Sequence, residues 1–290
     1  MNDTSELEYG AGIVMSVWEG MDKTGLHPDV LELLGPVFSA TEIAADALKR
    51  LHVVSACEGT NSMYQWLGYA QPDGYAIGLD MAGKWEATHE GEPGEELAEA
   101  GLNEDGFLSR LPVGWYRVIY DPAEQANAAE RLVKWMSTVD ATAQICRVDG
   151  TGGSGDPMAL SRAQTFLRAQ LQALMALFKD PAFTPEQEVR FLVEQHFSPT
   201  GTSGGGLQFR TRGATIIPAL AVARRVDPEA ESPRDRYSSP PPGPYELPVV
   251  GVVAGPNSAP WATDIARQVL FSKQIYWIEP KRSRLPRLAT

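Results

Sequence analysis

Cysteine is scarce in this chain, and long apolar runs are missing. Cys57 and Cys146 are the only cysteines among 290 residues, too few for the disulfide scaffold of a small secreted protein. The first ten residues are acidic and lack the basic and then apolar order of an export signal. No apolar run approaches the roughly 20 residues that a membrane-spanning helix needs. These absences predict a soluble cytoplasmic protein with no membrane partner.

Positive charge is also in short supply. The 25 Lys and Arg residues are outnumbered by 37 Asp and Glu residues, which gives a formal net charge of −12 at pH 7. Nonspecific affinity for nucleic acid comes mainly from clustered Lys and Arg residues that release counterions, so we expect no generic nucleic-acid binding. The four histidines are scattered and form no metal-binding motif, which predicts that no metal is bound: His27, His52, His89 and His196.

The composition is otherwise that of a globular protein, with 43% hydrophobic and 21% charged residues. Helical and strand-like patterns interleave without strict alternation. They predict an α+β (mixed α/β) fold with a mixed, mostly antiparallel sheet, flanking helices and long loop insertions. We expect an irregular segment over residues 1–38 and a single domain over residues 39–290. Stretches poor in large apolar residues predict solvated insertions at 86–105, 149–156 and 226–248.

Local signals predict individual elements. Ser39 and Glu42 have the spacing of a capping box, which predicts a helix that runs into His52. Pro122 after Asp121 is typical of a helix start. Further helices are predicted at 62–70 and 157–178, and strands at 53–56, 75–79 and 115–120. Residues 249–254, 261–272 and 275–278 have the strand, helix and strand order of a parallel crossover.

Residues 186–194 alternate in the manner of a β-strand. One face carries Val189, Phe191 and Val193, and the other carries Glu186, Glu188, Arg190 and Glu194. Two interpretations follow. The polar face is exposed and carries paired charges, or its carboxylates belong to a functional site. A glycine-rich break separates this segment from Leu207–Thr211, which predicts an antiparallel hairpin between the two.

Several short motifs resemble, in the same order, those of a bacterial family, domain of unknown function 2971 (DUF2971). That family has a Ser-Phe-Ser strand, a Met-Trp-x-His-Tyr-Ala helix, a Gly-x-x-Ile-Gly-Phe strand, and later Phe-Lys and Glu-x-Glu-x-Arg. The corresponding segments here are Val54–Cys57, Gln65–Ala70, Gly74–Leu79, Phe178–Lys179 and Glu186–Arg190, with Gly255–Pro256 and Ser283–Pro286 resembling the closing elements. Ala56, Cys57 and Gly68 depart from the pattern, because the family has an aromatic residue, a serine and a histidine there.

The layout of these motifs is more distantly similar to that of ADP-ribosyltransferase folds. The similarity implies NAD as substrate. Departure of neutral nicotinamide leaves positive charge on the ribose, and a fixed carboxylate lowers that barrier. By this resemblance Glu188 stabilises the ribosyl cation, Glu186 orients or deprotonates an acceptor, and Ser55 supports the nicotinamide ribose. The remaining implied contacts are stacking on the ring by Trp66 or Tyr69 and steering of the pyrophosphate by Arg190.

The leading hypothesis is therefore an NAD-using ADP-ribosyltransferase-like or NAD-glycohydrolase-like enzyme whose partner is a small nucleotide ligand or a protein acceptor. The alternative is a non-catalytic ligand-binding, sensor or interaction protein, for example one with a defence role. Trp66 and Tyr69 would then be core residues. A third hypothesis, nucleophilic catalysis by Cys57 with His196 as its base, is weaker than a structural role for that thiol.

Overall fold

The computed structural model describes residues 4–38, 51–59, 62–71, 73–82, 85–87, 114–138, 157–194, 207–212, 215–220, 222–225 and 245–287. They form an α+β fold, as predicted. The chain divides into two compact units. The first comprises residues 1–55, 94–184 and 189–204, and the second comprises residues 56–93, 185–188 and 205–290. Neither unit begins at residue 39, where the sequence predicted a domain boundary.

The α-helices are α1 (Thr4–Gly20), α2 (Pro28–Leu34), α3 (Pro122–Met136), α4 (Pro157–Met175) and α5 (Ala262–Ser272). One α-helical turn, Met63–Gln65, continues directly as a π-helix, Trp66–Ala70, and Pro181–Glu186 forms a 3-10 helix. The strands are β1 (Leu51–Cys57), β2 (Tyr75–Leu79), β3 (Trp85–Ala87), β4 (Gly114–Arg117), β5 (Glu188–Glu194), β6 (Leu207–Arg212), β7 (Thr215–Leu220), β8 (Val222–Arg225), β9 (Tyr245–Glu246), β10 (Val249–Ala254) and β11 (Lys281–Arg282).

The N-terminal segment is helical, so the expectation of an irregular segment over residues 1–38 is wrong. Leu7, Ala11, Val14 and Trp18 recur at three- and four-residue intervals and are all buried. That spacing gives α1 an apolar stripe, which packs against α3 and α4. The ring of Trp18 stacks on Phe38 with centroids 4.2 Å apart. Burial of this stripe stabilises the helix beyond what its local signals indicate.

The helix start at Pro122 is confirmed. Asp121 is the N-cap of α3, and its carboxylate accepts hydrogen bonds from the N–H groups of Ala123 and Glu124. The predicted helix end at His52 is wrong, because β1 already begins at Leu51. The rest of the helix predicted after Ser39 lies outside the described residues, as do the predicted insertion at 149–156 and most of those at 86–105 and 226–248.

Three strands whose residues lie mostly in the first unit form a sheet of order β1-β5-β4, with β5 in the centre. Phe191 lies opposite Trp115 on β4, and their ring centroids are 5.5 Å apart. Side chains on both faces of β5 are buried, Val189 and Phe191 on one and Arg190 and Leu192 on the other. The interpretation of an exposed, charge-paired face is therefore wrong. The predicted hairpin with residues 207–211 is wrong as well, because β6 pairs antiparallel with β7.

A crossover organises the end of the second unit. β10 pairs antiparallel with β2 and parallel with β11, and α5 connects β10 to β11. The crossover is confirmed, although its last strand begins at Lys281 and not at residue 275. Side chains from α5 pack on this sheet in one apolar cluster: Val252, Ala266, Leu270 and Ile278. β3, β8 and β9 form a further antiparallel sheet.

Candidate functional site

A sharp backbone turn separates the two glutamates that were predicted to act together. Glu186 ends the 3-10 helix, and Glu188 begins β5. Between them Gln187 has a φ of 46°, a left-handed conformation that costs free energy for a residue with a side chain. Pro185 lies inside this 3-10 helix and favours it over a strand, because its ring fixes φ and it has no N–H to donate to a neighbouring strand. The prediction that Glu186 and Glu188 lie on one strand face is therefore wrong.

The segment that carries the predicted aromatic residues binds this turn directly. The hydroxyl of Tyr69 donates a hydrogen bond to Oε1 of Glu186 over 3.0 Å. The side-chain amide of Gln65 donates to the backbone carbonyl of Glu186, also over 3.0 Å. The N–H of Glu58 donates to the carbonyl of Gln187 over 3.1 Å. The carboxylate and the backbone of the turn are thus held by separate partners.

The backbone beside Tyr69 is unusual in two respects. Trp66–Ala70 is a π-helix, a rare form that is frequent at functional sites. Gln71, which follows it, has a φ of 59° and a ψ of 147°, a combination that side chains strongly disfavour. Strained residues persist only where their surroundings fix them, and they cluster at ligand and catalytic sites. The π-helix and the strained Gln71 and Gln187 therefore mark the Tyr69–Glu186 pair as the candidate site.

Exposure distinguishes the predicted site residues of the second unit. Tyr69 is 66% exposed, whereas Trp66 is 2% exposed. Glu186 and Glu188 are 3% and 7% exposed. Trp66 is thus an interior residue, and of these two predicted site residues Tyr69 is the one whose ring solvent reaches.

The other two predicted contacts belong to the first unit. Ser55 lies exposed on β1. Arg190 is fully buried, and its guanidinium donates to the Ala176 carbonyl and, over 2.7 Å, to Oε2 of Glu6. Nζ of Lys179 lies 3.0 Å from Oε1 of the same carboxylate. In this arrangement Arg190 contacts protein groups, and its contact with a pyrophosphate stays a prediction.

A pocket of about 220 Å³ lies beside these charges in the first unit; it is lined by Ser5, Glu6, Tyr9, Lys179, Asp180 and Phe183. The Lys179 ammonium lies 5.1 Å from the centroid of the Phe183 ring. The Tyr9 hydroxyl donates to Oε1 of Gln125 over 3.0 Å. None of the site residues predicted from the sequence lines this pocket.

Sequence reasoning missed the pocket for a definite reason. Three of its lining residues, Ser5, Glu6 and Tyr9, lie on α1, in the segment that was expected to be irregular. The helical spacing of Leu7, Ala11 and Val14 is the signal that would have placed them on a helix.

The third hypothesis finds no support in the geometry. Sγ of Cys57 lies 3.0 Å from the carbonyl of Gly59, to which the thiol donates. His196, its proposed base, is outside the described residues. In the part of the chain that the structure describes, no group of three or more His, Cys, Asp or Glu side chains could hold a metal ion. Across the same residues, no helix is both long and apolar enough to cross a membrane.

The fold and the site define an α+β protein whose candidate site combines a π-helix with a buried glutamate turn. Residues 65–191 match the model of the family described as Protein of unknown function (DUF2971). The match confirms the resemblance that the motifs indicated, and its range includes Trp66, Tyr69, Glu186 and Glu188 but not Ser55. No curated protein and no solved structure matches the chain.

Proposed function

We propose that the chain breaks the bond between nicotinamide and ribose in NAD and transfers or hydrolyses the ADP-ribose, with its site at Tyr69, Glu186 and Glu188. The observation that carries the proposal is the hydrogen bond from Tyr69 to Glu186. It joins an exposed aromatic ring to a carboxylate whose backbone is held in a strained turn.

The reaction needs a carboxylate that is fixed before positive charge develops. When neutral nicotinamide leaves, the ribose becomes cationic, and a preorganised anion stabilises that state without reorganising. Glu188 is the candidate for this role. Glu186 would accept the proton of the attacking water or acceptor hydroxyl while Tyr69 holds its carboxylate in place.

The exposed ring of Tyr69 supplies the other requirement. Nicotinamide is a flat aromatic ring, and an exposed tyrosine offers it an offset-stacked contact. Because Trp66 is buried, Tyr69 takes the stacking role in this proposal. Ser55 lies in the first unit, and its support of the ribose stays a prediction of the resemblance.

The test is release of nicotinamide from NAD by the full chain. Glu188→Gln should lower the rate by about 100-fold or more, the size of effect seen when one preorganised electrostatic contact is removed. Tyr69→Phe removes the hydrogen bond but keeps the ring, so we expect about a tenfold loss. Tyr64→Phe is the matched control, because Tyr64 is an exposed tyrosine of the same segment, and it should release nicotinamide at the parent rate.

A second candidate function is ligand binding without catalysis. The low exposure of Glu186 and Glu188 favours it. Buried carboxylates are usually hydrogen-bonded parts of the structure, and in that role the two glutamates would hold the turn without taking part in a reaction. Calorimetry with NAD separates the two. Binding without release supports the second function, and a folded chain that neither binds nor cleaves NAD contradicts the first.

A further inference from the structure

Among the described residues of the second unit, an apolar surface beside α5 is exposed. Ala262, Ala266 and Leu270 of this helix are buried. Trp261, Ile265 and Val269 precede them by one position each and are 60%, 42% and 55% exposed. Successive residues lie about 100° apart around a helix, so this second row forms a neighbouring apolar stripe that the sheet does not cover.

Ion pairing shows on which side of α5 the stripe lies. Ile265 and Arg267 flank the buried Ala266 on opposite sides. The guanidinium of Arg267 pairs with Glu279, which lies two residues before β11. Because the sheet order is β11-β10-β2, the Arg267 flank faces the β11 side and the Ile265 flank faces the β2 side.

The strand next to that flank, β2, also exposes an apolar side chain to solvent. Ile77 of β2 lies opposite Val252 in the antiparallel register, so the two side chains share the face on which α5 packs. Val252 is buried there, whereas Ile77 is 60% exposed. Tyr75 lies on the same face, and its hydroxyl donates to the carbonyl of Ala262 over 3.0 Å. The apolar surface therefore continues from the flank of α5 onto β2.

β2 is an edge strand of this sheet, and within the described ranges no strand pairs with its outer edge. Its sequence, Tyr75–Leu79, contains neither a charged residue nor a proline. Those residues commonly protect an edge strand from pairing with another chain. An unprotected edge beside an apolar flank is suited to a partner that supplies both a strand and a helix.

We propose that this surface, formed by β2 and the Trp261–Val269 flank of α5, binds a second copy of the chain about a twofold axis. The two β2 strands would pair antiparallel and join two three-stranded sheets into one of six strands. The same symmetry places the two α5 flanks side by side over the paired Ile77 residues. Each copy thereby contributes the same surface, and its strand and helix contact the same strand and helix of the other copy, as a twofold interface requires.

The area and charge set the expected strength. Five partly exposed large side chains and one strand edge amount to roughly 600 Å² per protomer, near the lower limit for a specific interface. Each protomer also carries a formal charge of −12, so the copies repel one another at low ionic strength. The dimer should therefore be weak, and added salt should strengthen it.

Sedimentation velocity of the full chain tests the proposal. Chain concentrations from roughly 1 to 100 µM span the micromolar dissociation constant that is expected for a weak dimer. We expect a reversible monomer–dimer equilibrium that shifts towards dimer with salt. Val269→Glu and Ile77→Lys should each weaken dimerisation by about tenfold or more, as expected for loss of one central contact. Leu31→Glu, an exposed leucine on α2, is the matched control and should change nothing.

Amide hydrogen exchange gives a second measurement that needs no variant. The amides of Tyr75–Leu79 should exchange more slowly as the chain concentration rises, because pairing protects the strand edge. A chain that stays monomeric at every concentration and salt overturns the proposal. So does a dimer that Val269→Glu and Ile77→Lys leave unchanged while both variants keep the parent circular dichroism spectrum.

Discussion

Replacement of Glu6 by glutamine probes the charged interior of the first unit. The Glu6 carboxylate contacts Lys179 through one oxygen, at 3.0 Å, and Arg190 through the other, at 2.7 Å. Both cations are almost fully buried, whereas Glu6 itself retains some exposure. A glutamine keeps the shape of the side chain and removes its charge. Its amide can accept a hydrogen bond from one cation only, and its NH₂ group then faces the other.

The expected loss is large because two desolvated cations would lose their common anion. Removing one partner of a buried ion pair costs about 3–5 kcal/mol, and we expect the Glu6→Gln variant to lose that much free energy of unfolding. For a domain of 150–250 residues, 1 kcal/mol shifts the unfolding temperature by about 2–4 °C. The expected fall in the unfolding temperature is therefore about 10 °C.

Urea unfolding followed by circular dichroism measures this change. Glu8→Gln is the matched control, since Glu8 is an exposed acid on the same helix, and it should stay within about 0.5 kcal/mol of the parent. If Glu6→Gln and Glu8→Gln differ by less than about 1 kcal/mol, the account of a shared buried anion is wrong. Replacing Glu6, Lys179 and Arg190 together by methionine should recover much of the loss, because it removes the buried charges as well.

Three further changes are expected to alter stability. Gly10→Ala would place a Cβ 2.6 Å from a backbone carbonyl oxygen of α4 and should lower the free energy of unfolding by about 1–3 kcal/mol. At Gly12 an added Cβ meets no atom within 4 Å, so Gly12→Ala should raise the free energy of unfolding by up to about 1 kcal/mol. Urea unfolding of the two variants measures the difference. Gln187→Gly should be nearly neutral in the same assay and Gln187→Val destabilising by more than about 1 kcal/mol, since β-branched residues disfavour a positive φ. The hydrogen bond from Arg267 holds the pKa of Glu279 below its ordinary value of 4.5, so this pair stabilises the fold above that pH and progressively less as the pH falls through the lowered pKa. The unfolding temperature of Glu279→Gln should lie slightly below that of the parent at pH 7, and the difference should shrink as the pH is lowered below 4.5.

Elements with their own local signals could be read from the sequence. Asp121 and Pro122 fix the start of α3 through a cap and a preset φ, both of which act within a few residues. Tyr75–Leu79 is a strand as predicted, because its apolar and aromatic content is sufficient to indicate one. The α+β class follows from the sum of such signals.

Features that depend on distant contacts could not be read in this way. The polar alternation of β5 suggested an exposed face, yet Arg190 is buried because α1 brings Glu6 to it from 184 residues away. The break at Gln187 likewise has no local signature, since glutamine is not a residue that favours a positive φ. At the candidate site, the sequence indicated Tyr69 and Glu186 separately, but only the fold shows that they are hydrogen-bonded.

The way the strands pair has a consequence for any shortened form of this chain. The family match covers residues 65–191, but β2 inside that range pairs with β10, and β3 pairs with β8, both outside it. A fragment with the limits of the match would expose two strands without partners and omit α1 and its buried row of side chains. We therefore expect a fragment limited to residues 65–191 to be less stable than the full chain, because β2 and β3 would lack the strands they pair with.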